Sequence, residues 1–466
     1  MKAASISKSR FPPIDQSQWL DREAEAPEIA SFGSSVLERR AGPTPTAYRR
    51  RARPAWRILQ RIDDPDPKAA NAQALLDIEA GATGLAIVFQ GAPNAFGRGL
   101  PARADVLETV LADVPLGKIH LRLDPHSLSR TSVDWLAALL ASRKVDASRL
   151  SLSFGLDPAA ILAGTGSYKM SLEALEASLP QSLAHFFAMG LPAVVLEADG
   201  RVAHNAGATE TQELGIMLSA AISHLRMFEA ARQPLMYAAP HIGFAVSVDQ
   251  DQFMSIIKVR ALRKLWVKAQ ETCGIPPSRA AIHAESSYRM LSSADPQTNM
   301  LRNAYAGLGA VIGGVDSLSL LPVGIETGHA DAAARAASLK SQVLVARESY
   351  AAFVADPWPR VTGLEAQVAA LCEAAWEEFR RIEDEGGILH SLAAGKIQER
   401  VLASRACKAK LFREHHPDMA EARAVSAPPP PPDIPDDAPA RCLPLTPALV
   451  EQYEPPAPDE DLVAES

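Results

Sequence analysis

The 466 residues carry 47 basic and 55 acidic side chains, a net charge of −8, which argues against a general nucleic-acid binder with its basic surface. Aliphatic and aromatic residues plus Cys make up 47% of the chain, enough to bury a large core. Four cysteines stand far apart at 273, 372, 407 and 442 with no C-x-x-C pair, which excludes a disulfide framework or a zinc-finger pattern and fits a reducing, cytoplasmic setting.

No apolar run approaches the roughly 18 residues of a membrane helix, and Met1 to Arg10 are polar, without the hydrophobic stretch of a signal peptide. Residues 1–54 read as an N-terminal arm. Its basic cluster Arg49, Arg50, Arg51 and Arg53 is expected to be solvated, the alternative being contact with an anionic partner or a phosphate.

From Trp56 onward, short runs rich in Ile, Val and Leu alternate with longer helical patterns. The runs are Trp56–Gln60, Leu85–Gln90, Ile119–Asp124, Leu150–Phe154, Ala193–Ala198, Ile242–Val248, Ala281–Ser286 and Val315–Leu321. Buried parallel strands read as short continuous apolar runs, and their alternation with helices implies crossover units. Eight such units over residues 55–425 predict an α/β chain closed into a (β/α)8 TIM barrel. A doubly wound open sheet fits the same pattern.

Three helices are well marked. Thr209-Glu210-Thr211-Gln212 has capping-box spacing, and Leu214, Met217, Leu218, Ala221, Leu225 and Phe228 then recur at helical spacing. Over 251–272 Met254, Ile257, Ala261 and Leu265 form one stripe, with Arg260 and Arg263 on another side. The third helix covers 364–385, and Gly386-Gly387 supply its stop. Gly313-Gly314 reads as the turn before the last strand. Residues 426–466 open with SAPPPPPDIPDDAPAR and end acidic and Pro-rich; proline lacks a backbone donor, so they are expected to be a linker and a disordered tail.

The chain contains no G-x-x-x-x-G-K-[ST], H-E-x-x-H or G-x-S-x-G motif. Polar residues on the strand runs are more informative. Ser151, Ser153, Ser286, Ser287, Ser317 and Ser319 lie on or beside predicted strands. Barrels usually fill their interior with branched aliphatics, so small hydroxylated residues there either leave room along the axis or face the helices and barrel ends. His204-Asn205 follows the fifth run, at the end of the strand where barrel enzymes place functional residues. Glu285 lies within the seventh run and needs a partner if buried; it is either a paired structural carboxylate or a pocket residue.

Ordered stretches of the chain resemble the methylmalonyl-CoA mutase family. His204-Asn205-Ala206-Gly207-Ala208 followed by Gln212-Glu213-Leu214 resembles the family's H-x-A-G-A segment in its small-subunit form. Lys258 to Trp266 reads K-x-R-A-x-R-x-L-W, and His283 to Met290, Asn299-Met300-Leu301-Arg302, Gly313 to Ser317, Trp376 to Phe379 and Gly386-Gly387 follow in order. Active chains of that family rearrange methylmalonyl-CoA to succinyl-CoA through radicals on adenosylcobalamin. Their barrel holds the acyl-CoA along its axis, and a flavodoxin-like domain ligates cobalt through D-x-H-x-x-G. Here that motif and a matching domain are missing, the nearest stretch being Asp124-Pro125-His126-Ser127-Leu128-Ser129. Against the active chains, R-Q-Y falls on Leu59-Gln60-Arg61, the histidine of S-G-Y-H on Val202, a substrate-facing arginine on His241, and S-Q-T-S-G on Ala284-Glu285-Ser286-Ser287-Tyr288.

The resemblance therefore implies a small, catalytically silent subunit in a heterodimer with a large catalytic subunit that binds the adenosylcobalamin. No catalytic, cofactor-binding or metal-ligating residue is assigned; His204, Asn205, His241, Glu285 and Ser286 are the pocket candidates. Two other readings stay open: an acyl-CoA mutase barrel served by a separate cobalamin-binding chain, and an acyl-CoA-binding module without catalysis, its nucleotide phosphates received by the basic cluster at 49–53. No nucleic-acid or membrane partner is expected.

Overall fold

All eight apolar runs form parallel strands. The computed structural model describes residues 56–415 apart from 147–148, 167–169, 293–295, 329, 350, 353–355, 357 and 359–360; the arm with its arginine cluster, Cys442 and the Pro-rich tail lie outside the described residues. The elements in order are β1 (Arg57–Ile62), α1 (Pro67–Glu79), β2 (Gly84–Ile87), α2 (Ala104–Val110), β3 (His120–Leu123), α3 (Ser129–Ser142), β4 (Leu152–Leu156), α4 (Pro158–Thr165), α5 (Leu172–Ala188), β5 (Ala193–Asp199) and the short α6 (Arg201–Asn205). There follow α7 (Glu210–Ala230), α8 (Leu235–Ala238), β6 (Ile242–Val248), α9 (Gln252–Thr272), β7 (Ala281–Ser286), α10 (Pro296–Gly313), β8 (Ser317–Ser319), α11 (Ala332–Arg347), α12 (Thr362–Asp384), α13 (Ile388–Ala393) and α14 (Lys396–His415).

The strands close in sequence order into a (β/α)8 barrel, with β1 paired to β2 on one side and to β8 on the other. Alternate residues divide between two environments, as strand geometry requires. Ile58, Ile62, Leu121, Leu123, Leu196, Ala198, Ile282 and Ala284 join the main hydrophobic core between strands and helices. Their neighbours turn to the barrel axis.

The helix signals work as expected. Thr209 Oγ1 accepts from the Gln212 backbone N–H at 3.2 Å, and Gln212 Oε1 accepts from that of Thr209 at 3.0 Å, completing the capping box of α7. Gly386 and Gly387 end α12 at φ of 102° and 87°, a region that disfavours other residues. α12 packs across α7 and α9. The approach is close, since a Cβ on Gly215 would lie 2.8 Å from Glu378 Cγ. On α9, Trp266 packs edge-on against Phe244 of β6 at 5.2 Å, while Arg263 donates to the Ala280 carbonyl at 2.8 Å and to Asp316 at 2.9 Å, clamping the entry to β7 and β8.

Candidate functional site

The barrel axis is filled by ion pairs. Arg61 of β1 donates through Nε to Asp63 at 2.7 Å, and Arg335 of α11 reaches the other oxygen of Asp63 at 2.6 Å. Glu285 of β7 lies 3.1 Å from Arg201 Nη1 and 3.8 Å from Arg61 Nη1. Arg201 also holds Asp199 at 2.7 Å and Asp124 at 3.2 Å. Arg122 of β3 bonds Asp124 at 3.0 Å and, closer still, Glu197. Every one of these side chains except Arg335 belongs to a residue 5% exposed or less.

Burying isolated charges at this depth would cost many kcal/mol, so the ladder stands only because each charge meets its opposite. Burial pushes the Asp124 carboxyl up, but Arg201 and Arg122 overcome it and hold the group down at about 2. Burial likewise works against Asp63, and Arg61 with Arg335 keeps it below the usual range. Glu285 and Asp199 are raised, burial outweighing Arg201 in both. Arg201, facing Asp124, Asp199 and Glu285, is held well above its ordinary value despite its burial.

Among the described residues, aromatic and charged side chains crowd both ends of the axis. At the C-terminal end Phe96 stacks on Tyr288 with ring centroids 4.1 Å apart, and the Arg61 guanidinium lies 5.2 Å from the Phe96 ring. The loop that carries Phe96 needs Gly99, at φ 132°, because a Cβ there would lie 2.6 Å from the Gln90 nitrogen. At the N-terminal end a cavity of about 40 Å³ is lined by residues including His120, Arg122, Ser153, Glu197 and His283. Arg122 Nη2, Glu197 Oε1 and His283 Nε2 face no partner among the described residues. Room for a water or two is present, far below the roughly 300 Å³ of a small-molecule pocket. Burial drives the His120 imidazole down to about 3 and His283 well below its usual value.

The hydroxyls therefore do not leave the axis open. Ser153 donates to Glu197 at 3.2 Å, Ser317 bonds His283 Nδ1 at 3.0 Å, and Ser286 Oγ accepts the Leu321 backbone N–H at 2.8 Å. Of the two alternatives for the serines, these bonds favour packing beside the arginines, histidines and barrel ends.

His204 sits beyond the C-terminal end of β5, on α6. Its Nδ1 lies 3.0 Å from Glu213 and its Nε2 2.9 Å from Ser287 Oγ. The order Ser–His–carboxylate is that of a nucleophilic relay, but His204, Glu213 and Ser287 are all fully buried. Glu213 is neutralised by Lys258 Nζ at 2.7 Å and accepts the Ser247 N–H at 3.1 Å. Burial, with Arg289 and Lys258 nearby, holds His204 well below its usual value, hence neutral. The cluster is a cross-link joining α6, α7, α9 and the residue after β7. Asn205 accepts the Arg289 N–H at 3.4 Å. His241 lies at the opposite end, just before β6, bonded to the Ala193 carbonyl at 2.6 Å. Of the five sequence candidates, only Glu285 belongs to the axial ladder; the structure sets His241 apart from the others.

Asp63, Arg122, Glu197, Asp199 and Arg201 are not among the sequence candidates, and Arg61 and Asp124 enter there only through the family resemblance. A signal existed: charged residues at alternate positions within apolar strand runs require buried partners. The same logic that marks Glu285 reaches Arg122 and Glu197 equally, while Arg61 falls just past the run Trp56–Gln60. The His126 ring is buried against Phe89 at 4.5 Å with Nδ1 on the Asp124 carbonyl. Among the described residues no group of three or more His, Cys, Asp or Glu is placed to hold a metal, and no helix is long and apolar enough to cross a membrane.

Fold and site together define a (β/α)8-barrel protein whose axis, among the described residues, carries buried ion pairs. The family model for methylmalonyl-CoA mutase matches residues 39–418, and the chain belongs to that family. It is 32% identical to the methylmalonyl-CoA mutase small subunit of Streptomyces virginiae over 365 residues, 78% of this chain and 57% of the relative. It is 28% identical to that of Propionibacterium freudenreichii subsp. shermanii, over 76% of this chain and 54% of the relative. The mitochondrial methylmalonyl-CoA mutase of Macaca fascicularis matches at 28% over 41% of this chain and 26% of the relative. The chain thus spans about half the length of the curated small subunits it matches.

Proposed function

We propose that this chain is a small, catalytically silent subunit of an adenosylcobalamin-dependent methylmalonyl-CoA mutase, paired in a heterodimer with a large subunit that binds cofactor and acyl-CoA. One observation carries the reading. By the resemblance, Arg61 falls at the tyrosine of the active R-Q-Y segment, Val202 at the histidine of S-G-Y-H with Asp199 and Arg201 before it, and Glu285 at the glutamine of S-Q-T-S-G. These replacements bond to one another, Arg201 to Asp199 at 2.7 Å and to Glu285 at 3.1 Å, with Arg61 beyond. Residues that would meet an acyl-CoA have become an ion-paired filling of the axis. Val202, in place of the histidine, offers no proton.

The described residues do not fit a cobalamin. The strand ends that would face it are covered by Phe96 and Tyr288, and the one D-x-H sequence points inward. The cofactor, which supplies radical initiation when bound, is assigned to the partner, and this chain's role is to complete and stabilise the heterodimer. Cytoplasmic propionate metabolism is the setting that follows.

The test is turnover of methylmalonyl-CoA with adenosylcobalamin by the purified chain, with and without the large subunit, and calorimetric titration of the chain alone with acyl-CoA. Activity only in the mixture and no acyl-CoA binding at micromolar concentration is expected. Turnover by the chain alone would overturn the proposal; micromolar acyl-CoA binding without turnover would favour a binding module.

A further inference from the structure

At the N-terminal end of the barrel, three polar atoms meet one small cavity with their bonding capacity unused. Arg122, Glu197 and His283 are 1%, 2% and 4% exposed and line the same cavity of about 40 Å³. Arg122 donates through Nε to Asp124 at 3.0 Å and through Nη1 to Glu197 Oε2. Glu197 Oε2 also accepts from Ser153 at 3.2 Å, and His283 Nδ1 lies 3.0 Å from Ser317 Oγ. What remains is Arg122 Nη2, Glu197 Oε1 and His283 Nε2, each without a hydrogen-bond partner among the described residues.

Nearly all buried polar groups in folded proteins are bonded to protein or to ordered water. An unbonded guanidinium N–H and an unbonded carboxylate oxygen are the costliest exceptions, because both groups carry charge. The surroundings say what would satisfy them. In the lining, Arg57 and Arg122 stand against Asp316 and Glu197. Arg263 and Arg279 hold Asp316 at 2.9 and 2.7 Å without lining the cavity themselves. Burial keeps the His120 and His283 rings neutral. An anion drawn to Arg122 Nη2 would face Glu197 Oε1, and a cation drawn to Oε1 would face the guanidinium. A fitting occupant is therefore neutral, and it both donates and accepts. One water needs about 10–15 Å³ of such space, so the cavity suits a ligand of very few atoms.

We infer that this cavity is a binding site for ordered water, in which one molecule accepts from Arg122 Nη2 and donates to Glu197 Oε1 and His283 Nε2. The site is independent of the small-subunit reading. Arg122, Glu197 and His283 come from β3, β5 and β7, which are alternate strands of the ring. Ladder hydrogen bonds join only neighbouring strands, so the water braces the barrel where its backbone cannot. With both protons of the water given away, the imidazole must accept at Nε2. His283 then carries its own proton on Nδ1 and donates it to Ser317 Oγ, which extends the brace to β8.

The experiment uses the full chain. A high-resolution crystal structure is determined from native crystals and from crystals soaked in sodium bromide or rubidium chloride, the probes for an anion and a cation. Density about 2.7–3.2 Å from all three atoms, with no anomalous peak from either ion, is expected. A dry cavity overturns the proposal, and so does a bromide or rubidium peak at that position. Nitrogen NMR of histidine-labelled protein at neutral pH, with His283 assigned by its loss in His283→Gln, reads the tautomer. The neutral Nδ1–H form is expected; the Nε2–H form overturns the arrangement. The crystals hold the wild-type chain, so the test stands even if the variant fails to fold.

Discussion

Arg201→Met is the most direct perturbation of the axial filling. The guanidinium contacts Asp199, Glu285 and Asp124 at 2.7, 3.1 and 3.2 Å. Methionine fills similar volume but leaves three carboxylates to share Arg61 and Arg122. Removing one partner from a buried ionic cluster costs about 3–5 kcal/mol, a large part of a total stability of order 5–15 kcal/mol. With an unfolding entropy of about 2.1 cal/mol/K per residue over roughly 360 residues, 4 kcal/mol lowers Tm by about 5 °C. Scanning calorimetry and urea unfolding of wild type, Arg201→Met, Glu285→Gln and the double variant read the effect and the coupling. The double variant is expected to lose about 1–3 kcal/mol less than the sum of the singles. An Arg201→Met protein melting within 1 °C of wild type, with no coupling to Glu285, would refute the reasoning: the axis would then be wet enough to solvate the carboxylates, and its closure to acyl-CoA would fall with it.

Acid should destabilise the fold well above the carboxylate range. His120 and His126 are held down to about 3 and about 4 by burial, against about 6.5 in the unfolded chain. The unfolded state therefore binds protons that the native state refuses, and stability present above pH 6.5 is lost as pH falls toward 4 and 3, by up to about 2.7 kcal/mol per pH unit for two groups. The raised Asp199 and Glu285 oppose this; a urea midpoint at pH 5 no lower than at pH 7.5 would refute neutral buried imidazoles. Gly155→Ala should prevent recovery of folded barrel, since φ is 57° and the new Cβ would lie 2.0 Å from the Leu123 carbonyl oxygen; folded protein with wild-type Tm would contradict the close passage of β3 and β4. Thr209→Ala removes half of the α7 capping box and should cost about 1 kcal/mol, read as a shifted urea midpoint with unchanged slope.

Local physics made much of the fold legible. Eight apolar runs, each short enough to be a strand and spaced by helical patterns, located eight parallel strands, because strands buried on both sides leave that imprint; the pairing of β1 with β8 decided a closed barrel over an open sheet. The capping residues Thr209 and Gln212 and the stop at Gly386-Gly387 act through their nearest neighbours, so sequence alone located them. The barrel's filling was not legible in the same way. Arg201 and Glu285 are 84 residues apart, and Arg335 and Asp63 are 272 apart; only closure of β1 against β8 and the registers around the ring bring them within bonding distance. Which serines line an empty axis and which pack beside an arginine is likewise a matter of volume, set by side chains from several strands at once. Sequence placed Arg122, Glu197 and Glu285 within strand runs, where a barrel has no exposed face. Tertiary structure alone decided that they would satisfy one another, because a buried charge is stabilised by the distance to its opposite, and distance across a barrel is written in no single strand.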